Sequence, residues 1–358
     1  MSSLDHENNT ISLQELSKEP LLAVPPHYIQ LDQESPCSSP SHLMPAIPIV
    51  DMESMTLGQA KDFELQKLHS SCKEWGVFQV VNHGVSSSVV EKLKYEIEEF
   101  YKLPLEEKMR YKLRPGDVEG YGQTIANLTD QNIDWGDRFL MVINPIHKRN
   151  PHLLPELPSS LREAMEAYFK ETQKLAKVLF KLIGQALEID KREMEDMFED
   201  GLQLVRMNYY PPCPQPELVV GLRPHSDASG LSILLQVNGV EGLQVKKNGV
   251  WVPVNILPNA FVLHIGDVME IFSNGIYKSI VHRATVNSVN ERISIGMFFN
   301  PNLEVEIGPA TSLINEKNPP QYKRMPMEQY VKNFFSRKLQ SKTIIDQMRI
   351  KGEQPNTE

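Results

Sequence analysis

Cysteine is scarce in this chain. The three present, Cys37, Cys72 and Cys213, are odd in number, far apart and outside any CxxC spacing, which excludes a disulfide framework and points to a reducing compartment. Long apolar runs are missing as well. No stretch of the sequence approaches the ~18 consecutive apolar residues of a membrane-spanning helix. Positive charge is in deficit: 46 acidic residues stand against 37 basic ones, a formal net charge of -9. Without a basic patch to neutralise a row of phosphates, nucleic acid and anionic membrane are not expected partners. The opening residues Met1-Ser-Ser-Leu-Asp-His-Glu lack both a basic start and an apolar stretch, so no secretory leader is expected and a cytoplasmic protein is.

With 358 residues, 41% of them hydrophobic, the chain can bury a large core, as two domains or as one large domain with an added helical layer. Residues 1 to about 45 are polar and rich in Pro and Ser, with Ser35-Pro-Cys-Ser-Ser-Pro40 reading as a connector. Within them a short helix starts at Ser12-Leu-Gln-Glu-Leu16, and Pro25-Pro26 stops it. Ile47–Val50 reads as an edge strand. A helix follows with Leu57, Phe63, Leu68 and Cys72 on one face, and Gly76 ends it. Val77–Val81 is a strand, and Val90, Leu93, Ile97 and Phe100 line a second helix that Pro104 stops. A longer helix runs from about 160 to 187, with Leu161, Met165, Phe169, Leu175, Leu179 and Leu182 as its apolar stripe. After Gly201 short β-rich runs alternate with Gly, Asn and Pro turns, at 231–237, 243–245, 251–254, 261–265 and 293–299. That spacing predicts a sandwich or jelly roll. A helical, amphipathic tail is expected over about 320–350. There is no internal repeat.

His225-Ser-Asp227 is the most informative local feature. In an extended segment residues i and i+2 point to one side, so an imidazole and a carboxylate can meet one ion. His282, 55 residues after Asp227, is the best third ligand, because that gap holds enough strands to travel round a small barrel and return. Two His and one carboxylate on one face of an octahedron leave three positions open, the arrangement of non-haem Fe(II) oxygenases; zinc prefers a closed site or one open position. An HxD triplet recurs by chance in a chain with ten histidines, and a second constellation adds the weight. Arg292-Ile-Ser294 opens an apolar strand ten residues after His282, and its guanidinium and hydroxyl share a face suited to gripping a carboxylate. The plainer reading of Arg292 is a surface ion pair with Glu291.

Further motifs stand in order around these residues: Trp75-Gly-Val-Phe-Gln-Val-Val-Asn-His-Gly84, Met207-Asn-Tyr-Tyr-Pro-Pro-Cys-Pro-Gln-Pro216, Gly242-Leu-Gln-Val245, Leu257-Pro-Asn-Ala260 and Ile265-Gly-Asp267. With the HSD, His282 and RIS positions, this order resembles the plant soluble 2-oxoglutarate/Fe(II) dioxygenases from about residue 45 to residue 350. Val118-Glu-Gly-Tyr-Gly-Gln123 and Asp130-Gln-Asn-Ile-Asp-Trp135 are closest to the subgroup of senescence-related oxygenases and codeine and thebaine O-demethylases.

The resemblance implies an α+β protein: a double-stranded β-helix (jelly-roll, cupin-like) core with a mainly helical N-terminal domain and C-terminal helices. It divides the chain into a variable segment at 1–45, the dioxygenase N-terminal domain at 46–150, a supporting helix at 151–200, the jelly roll at 201–302 and a helical tail over the pocket at 303–358. It implies His225, Asp227 and His282 as iron ligands, and Arg292 with Ser294 on the C5 carboxylate of 2-oxoglutarate. Asn208 and Tyr210 fall at positions that contact the co-substrate, and Phe298 and Tyr121 are expected in the substrate pocket. Implied cofactors are Fe(II), 2-oxoglutarate and O2, with ascorbate as support. The expected reaction is hydroxylation or oxidative O-demethylation of a small, largely apolar metabolite, such as an alkaloid, a flavonoid or other phenolic, or a hormone-like molecule, by a monomer. A 2-oxoglutarate-independent oxidase and a non-catalytic binding protein on the same scaffold stay open as alternatives. His83 is read as structural and Cys213 as packed. His264 stands where relatives usually carry Asn, and is read first as a satisfied core residue and otherwise as one that tunes the pocket.

Overall fold

The computed structural model describes residues 12–18, 21–30, 46–57, 60–114, 116–123, 133–335 and 343–350. The connector at Ser35–Pro40, Cys37, the side chain of Leu57 and Asp130–Asn132 lie outside these. The first part of the chain runs α1 (Leu13–Leu16), β1 (Ile49–Asp51), α2 (Met52–Leu57), α3 (Lys61–Ser70), β2 (Val77–Val81), α4 (Ser87–Lys102), α5 (Leu105–Met109), β3 (Gly120–Gly122), β4 (Asp137–Asn144), α6 (Ser159–Ala186) and α7 (Lys191–Phe198). The barrel region continues with β5 (Gln203–Tyr210), β6 (Leu222–His225), β7 (Leu231–Gln236), β8 (Leu243–Lys247), β9 (Val250–Pro253), β10 (Phe261–Ile265), α8 (Asp267–Phe272), β11 (His282–Ala284) and β12 (Arg292–Phe299). The tail carries β13 (Glu306–Ile307), β14 (Met325–Pro326), α9 (Met327–Phe335) and α10 (Thr343–Met348).

Two sheets make the jelly roll. The larger has the order β1-β2-β10-β7-β12-β5-β4-β3, and the smaller β6-β11-β8-β9. They meet through Val77 and Val262 of one and Val245 and Val252 of the other. The outer face of the large sheet is apolar, with Ile293, Ile295, Met297 and Phe299 of β12 at most 3% exposed. It packs into the core that α4 and α6 supply. In α6 the buried residues Leu161, Met165, Phe169, Leu175, Leu179 and Leu182 recur at helical spacing, as expected of a helix laid against a sheet.

The strand pairings line up a single inner face. Arg292, Ser294, Gly296 and Phe298 stand opposite Tyr210, Asn208, Arg206 and Leu204, and Arg138 and Leu140 stand opposite Asn208 and Arg206. Because a strand alternates sides at every residue, these even-numbered positions all face the barrel interior. Gly76 marks the turn from α3 into β2. Its φ is +67°, and a Cβ there would lie 2.0 Å from the Lys278 carbonyl oxygen, so no other residue fits.

Several expectations need correction. Phe63, placed on the buried face of its helix, is 65% exposed; it lies in α3 with Leu68, and five residues of helix set the two about 140° apart, so they cannot share a face. The tail is two short helices preceded by a two-residue strand, with 336–342 outside the described residues. Strand β4 (Asp137–Asn144) is absent from the expected strands. Its residues are buried on both sides, so it lacks the alternation that marks a half-exposed strand.

Candidate metal centre and co-substrate cleft

His225 ends β6 and His282 begins β11, and the two are direct partners across the antiparallel pair. The ring centroids are therefore 4.2 Å apart. Asp227 follows in the loop after β6, with its Oδ1 3.7 Å from the Nε2 of each histidine. Atoms bound at ~2.1 Å to one ion can be no more than ~4.2 Å apart, and both separations meet that limit. His225, Asp227 and His282 are the one group of potential metal ligands found among the described residues, and all three are buried.

The surrounding chain holds each ligand in place. His225 Nδ1 lies 2.8 Å from the Arg223 carbonyl and His282 Nδ1 lies 3.3 Å from the Ile280 carbonyl. A carbonyl can only accept, so Nδ1 carries the hydrogen and Nε2 keeps its lone pair for the shared point between the rings. Burial, and then the neighbouring His282, holds His225 well below the ordinary histidine range, which keeps it neutral as a ligand must be. The Asp227 carbonyl accepts from the Asp267 amide at 2.7 Å, and Ser226 Oγ donates to the Asp267 carboxylate at 3.2 Å. The Ile265-Gly-Asp267 motif thus clamps the HSD loop. Gly266 permits this contact, since a Cβ there would lie 2.0 Å from the Ser229 carbonyl oxygen.

On the same inner face sits Arg292, 2% exposed. Its guanidinium lies 5.4 Å from the Tyr210 ring centroid and donates to Ser294 Oγ at 3.4 Å. Asn208 Nδ2 reaches the same hydroxyl at 3.4 Å. Nε of Arg292 and Oδ1 of Asn208 have no partner. Glu291, the plainer partner for Arg292, instead accepts from the Tyr209 hydroxyl. Arg292 is thus a buried cation with no carboxylate beside it among the described residues, and burial pulls its pKa down. One cleft joins Asn208, Tyr210, Arg292 and Ser294 to His225, Asp227 and His282. It has a metal-type ligand set at one end and an unanswered guanidinium at the other, the complement of a small dicarboxylate that chelates an ion.

Residues 201–301 match the 2OG-Fe(II) oxygenase superfamily, and residues 47–157 match the N-terminal domain described as non-haem dioxygenase in morphine synthesis. The chain is 47% identical to Protein SRG1 of Arabidopsis thaliana, across 95% of this chain and 96% of that one. The chain belongs to the 2OG-Fe(II) oxygenase superfamily. This oxygenase is also 46% identical to codeine O-demethylase of Papaver somniferum, over 95% of its own length and 96% of the relative's. The solved structure of JOX2 in complex with 2OG, Fe and JA superposes with a TM-score of 0.85 at 34% identity, covering 95% of this chain and 98% of that one. The protein is therefore an Fe(II)- and 2-oxoglutarate-dependent dioxygenase with a jelly-roll core, the first of the three readings that the residues left open. Its ligand set and orphaned guanidinium fit both groups.

Two expectations about side chains fail. Tyr121 lines neither the cleft nor the cavity outside it. It is 1% exposed, its hydroxyl 3.2 Å from Ser12 Oγ, and it packs edge-on against Phe139. Its place on β3, at the far edge of the sheet, could not be known before the strand order was. His264 is not a satisfied core histidine. It lines the cleft, its ring stacks on His282 at 4.4 Å, its Nε2 has no partner, and burial followed by the charge of His282 lowers its pKa to about 3. His83, by contrast, stacks on Phe261 at 4.1 Å and contacts the Asn259 carbonyl, away from the ligand set. Cys72 and Cys213 are buried free thiols.

Outside the cleft lies a cavity of about 390 Å³ whose floor is His225 and Asp227. Its walls include Leu140, Leu204, Phe298, Tyr330 and Phe334, together with Arg138 and Arg206. The two arginines went unnoticed in the sequence. The signal was present in Arg206, two residues before Asn208 and hence on the same side of its strand.

Proposed function

We propose that His225, Asp227 and His282 hold Fe(II), and that Arg292 and Ser294 hold the far carboxylate of 2-oxoglutarate. On this reading Asn208 and Tyr210 line that co-substrate's path, and a small, largely apolar molecule occupies the outer cavity against Phe298. The supporting observation is the equidistant placement of Asp227 from the two imidazoles, 3.7 Å each, with Arg292 buried and unanswered on the same inner face. Bound there, Fe(II) and 2-oxoglutarate supply the oxidation: O2 gives one oxygen to succinate, as carbon dioxide leaves, and one to a substrate C–H bond. The chain's own part is positional. The Arg223 and Ile280 carbonyls aim the imidazoles, Arg292 sets the orientation of the co-substrate by its fork, and the apolar wall keeps water from the reacting carbon.

Oxidation of an O-methyl carbon releases formaldehyde and leaves a phenol or alcohol, and oxidation of a ring or alkyl carbon leaves a hydroxyl. The relatives named for demethylation, including a flavonoid 7-O-demethylase of Ocimum basilicum at 46% identity, support the first outcome. An aromatic methyl ether fits the Leu140, Leu204 and Phe298 wall. The protein acts as a cytoplasmic monomer; among the described residues no helix is long and apolar enough to cross a membrane. A screen of aromatic methyl ethers, alkaloids and phenolics that reads succinate release and product mass tests the proposal. Loss of CH2 or gain of one oxygen is the expected product change, and succinate that forms without any change in a library compound counts against the substrate class.

A further inference from the structure

Arg138 and Arg206 face the outer cavity, Arg206 where it meets the co-substrate cleft, and among the described residues neither has an anion bonded to it. They are diagonal neighbours on β4 and β5, because Arg138 stands opposite Asn208 and Leu140 opposite Arg206. Arg138 is 9% exposed and donates only to the Val118 carbonyl, at 3.3 Å. The Arg206 side chain makes no hydrogen bond or ion pair with any described residue, and among those residues the buried Nε of each arginine has no partner. Burial, and then the charge of Arg206, brings the Arg138 guanidinium down to about 9. Nearby Asp134 is engaged by Arg223 at 3.1 Å. The acidic residues lining this cavity are Asp227, turned to the histidines, and Asp117, exposed at the rim. Two like charges in a half-apolar cavity are costly unless an anion joins them. Their persistence in a chain of net charge -9 calls for a ligand that supplies one.

We propose that Arg138 and Arg206 form an anion-reading subsite in the substrate cavity, and that the substrate is a small apolar molecule bearing a carboxylate. Planar guanidinium forks match a carboxylate in geometry as well as charge. Leu140, Leu204 and Phe298 take the apolar body, and the carbon to be oxidised lies toward His225 and Asp227. The inference rests on the outer cavity being the substrate cavity.

The test uses full-length protein loaded with Mn(II) and 2-oxoglutarate. A set of aryl and alkyl carboxylic acids is titrated, each beside its own methyl ester, and the readout is the ratio of the two affinities. At least one acid should bind at least about tenfold more tightly than its ester, the range of a charge-assisted hydrogen bond. The ratio should fall toward one in Arg138→Gln and in Arg206→Gln, and to an intermediate value in Arg138→Lys, which keeps charge without the fork. Ester binding by the variants reports that the cavity is intact. If no acid outcompetes its ester in the wild type, or if the ratio survives both Gln substitutions, the proposal is overturned. Failure of the oxygenase reading shows elsewhere, as an absent visible band when anaerobic wild-type protein takes up Fe(II) and 2-oxoglutarate.

Discussion

Replacing Arg292 by methionine separates an anchor for a ligand from a strut of the fold. In the ligand-free protein the guanidinium is buried and lacks a counter-ion among the described residues. What it gains is a long hydrogen bond to Ser294 and the face of Tyr210 at 5.4 Å, about 2 kcal/mol at most for the ring. What burial costs a charge is several kcal/mol. The cost exceeds the gain, so Arg292→Met, of similar reach and uncharged, leaves the ligand-free protein as stable as the wild type or more so. Co-substrate binding moves the opposite way. Two charge-assisted hydrogen bonds at about 1.5 kcal/mol each make the loss about 100-fold. At a 2-oxoglutarate concentration about 100 times the wild-type Kd, the wild type gains about 2.7 kcal/mol and the variant about 0.4 kcal/mol. At about 2–4 °C per kcal/mol, thermal unfolding with Mn(II) present should rise by about 5–10 °C in the wild type and by about 1 °C in the variant. A ligand-free variant that melts several degrees below the wild type would make Arg292 a strut, and an unchanged 2-oxoglutarate response would refute the anchor.

Other outcomes follow from the same geometry. Asp227→Ala removes the carboxylate that both imidazoles face, and anaerobic Fe(II) titration should show affinity down by at least about 100-fold with turnover lost; normal iron binding would remove Asp227 from the ligand set. His264→Asn deletes an imidazole with an unpartnered Nε2 and leaves the three ligands in place, so iron affinity should stay within about threefold, and a larger drop would make His264 a ligand. Phe298 stands where the outer cavity meets the co-substrate cleft, and Phe298→Ala should raise the substrate KM at least about tenfold more than the 2-oxoglutarate KM; a matched rise in both would make it a wall of the co-substrate site rather than of the substrate cavity. Gly76→Ala forces a Cβ to 2.0 Å from the Lys278 carbonyl at φ +67°, and the urea midpoint should report a loss above about 2 kcal/mol; an unaltered midpoint would mean the turn relaxes.

Much of the frame was readable before any coordinates. Helix α6 announced itself by a stripe, Leu161 to Leu182, repeated over about six turns. Strand β12 was found from its apolar run, and Gly76 as a stop from its position after a helical pattern. What escaped did so for identifiable reasons. β4 is buried on both faces and carries no alternation of exposure. Phe63 stands five residues before Leu68, about 140° round the same helix, so the two never shared a face. Tyr121 and His264 each have ordinary neighbours in sequence, and their surroundings come from other segments folded against them: Ser12 and Phe139 for one, His282 of β11 for the other.

The order of motifs from Trp75 to Ser294 determined the family and the chemistry, because iron and a dicarboxylate demand particular side-chain types, and type is what a sequence carries. The two-residue spacings in His225-Ser-Asp227 and Arg292-Ile-Ser294 determined which side chains share a face, because strand alternation is a local property. Tertiary structure alone decided that His282 meets His225 across a strand pair and that Arg292 has no acid beside it among the described residues. It alone brought Arg138 of β4 next to Arg206 of β5. Each of these is a relation between strands, set by sheet order and register, and the energy that selects a register is spread over the whole core.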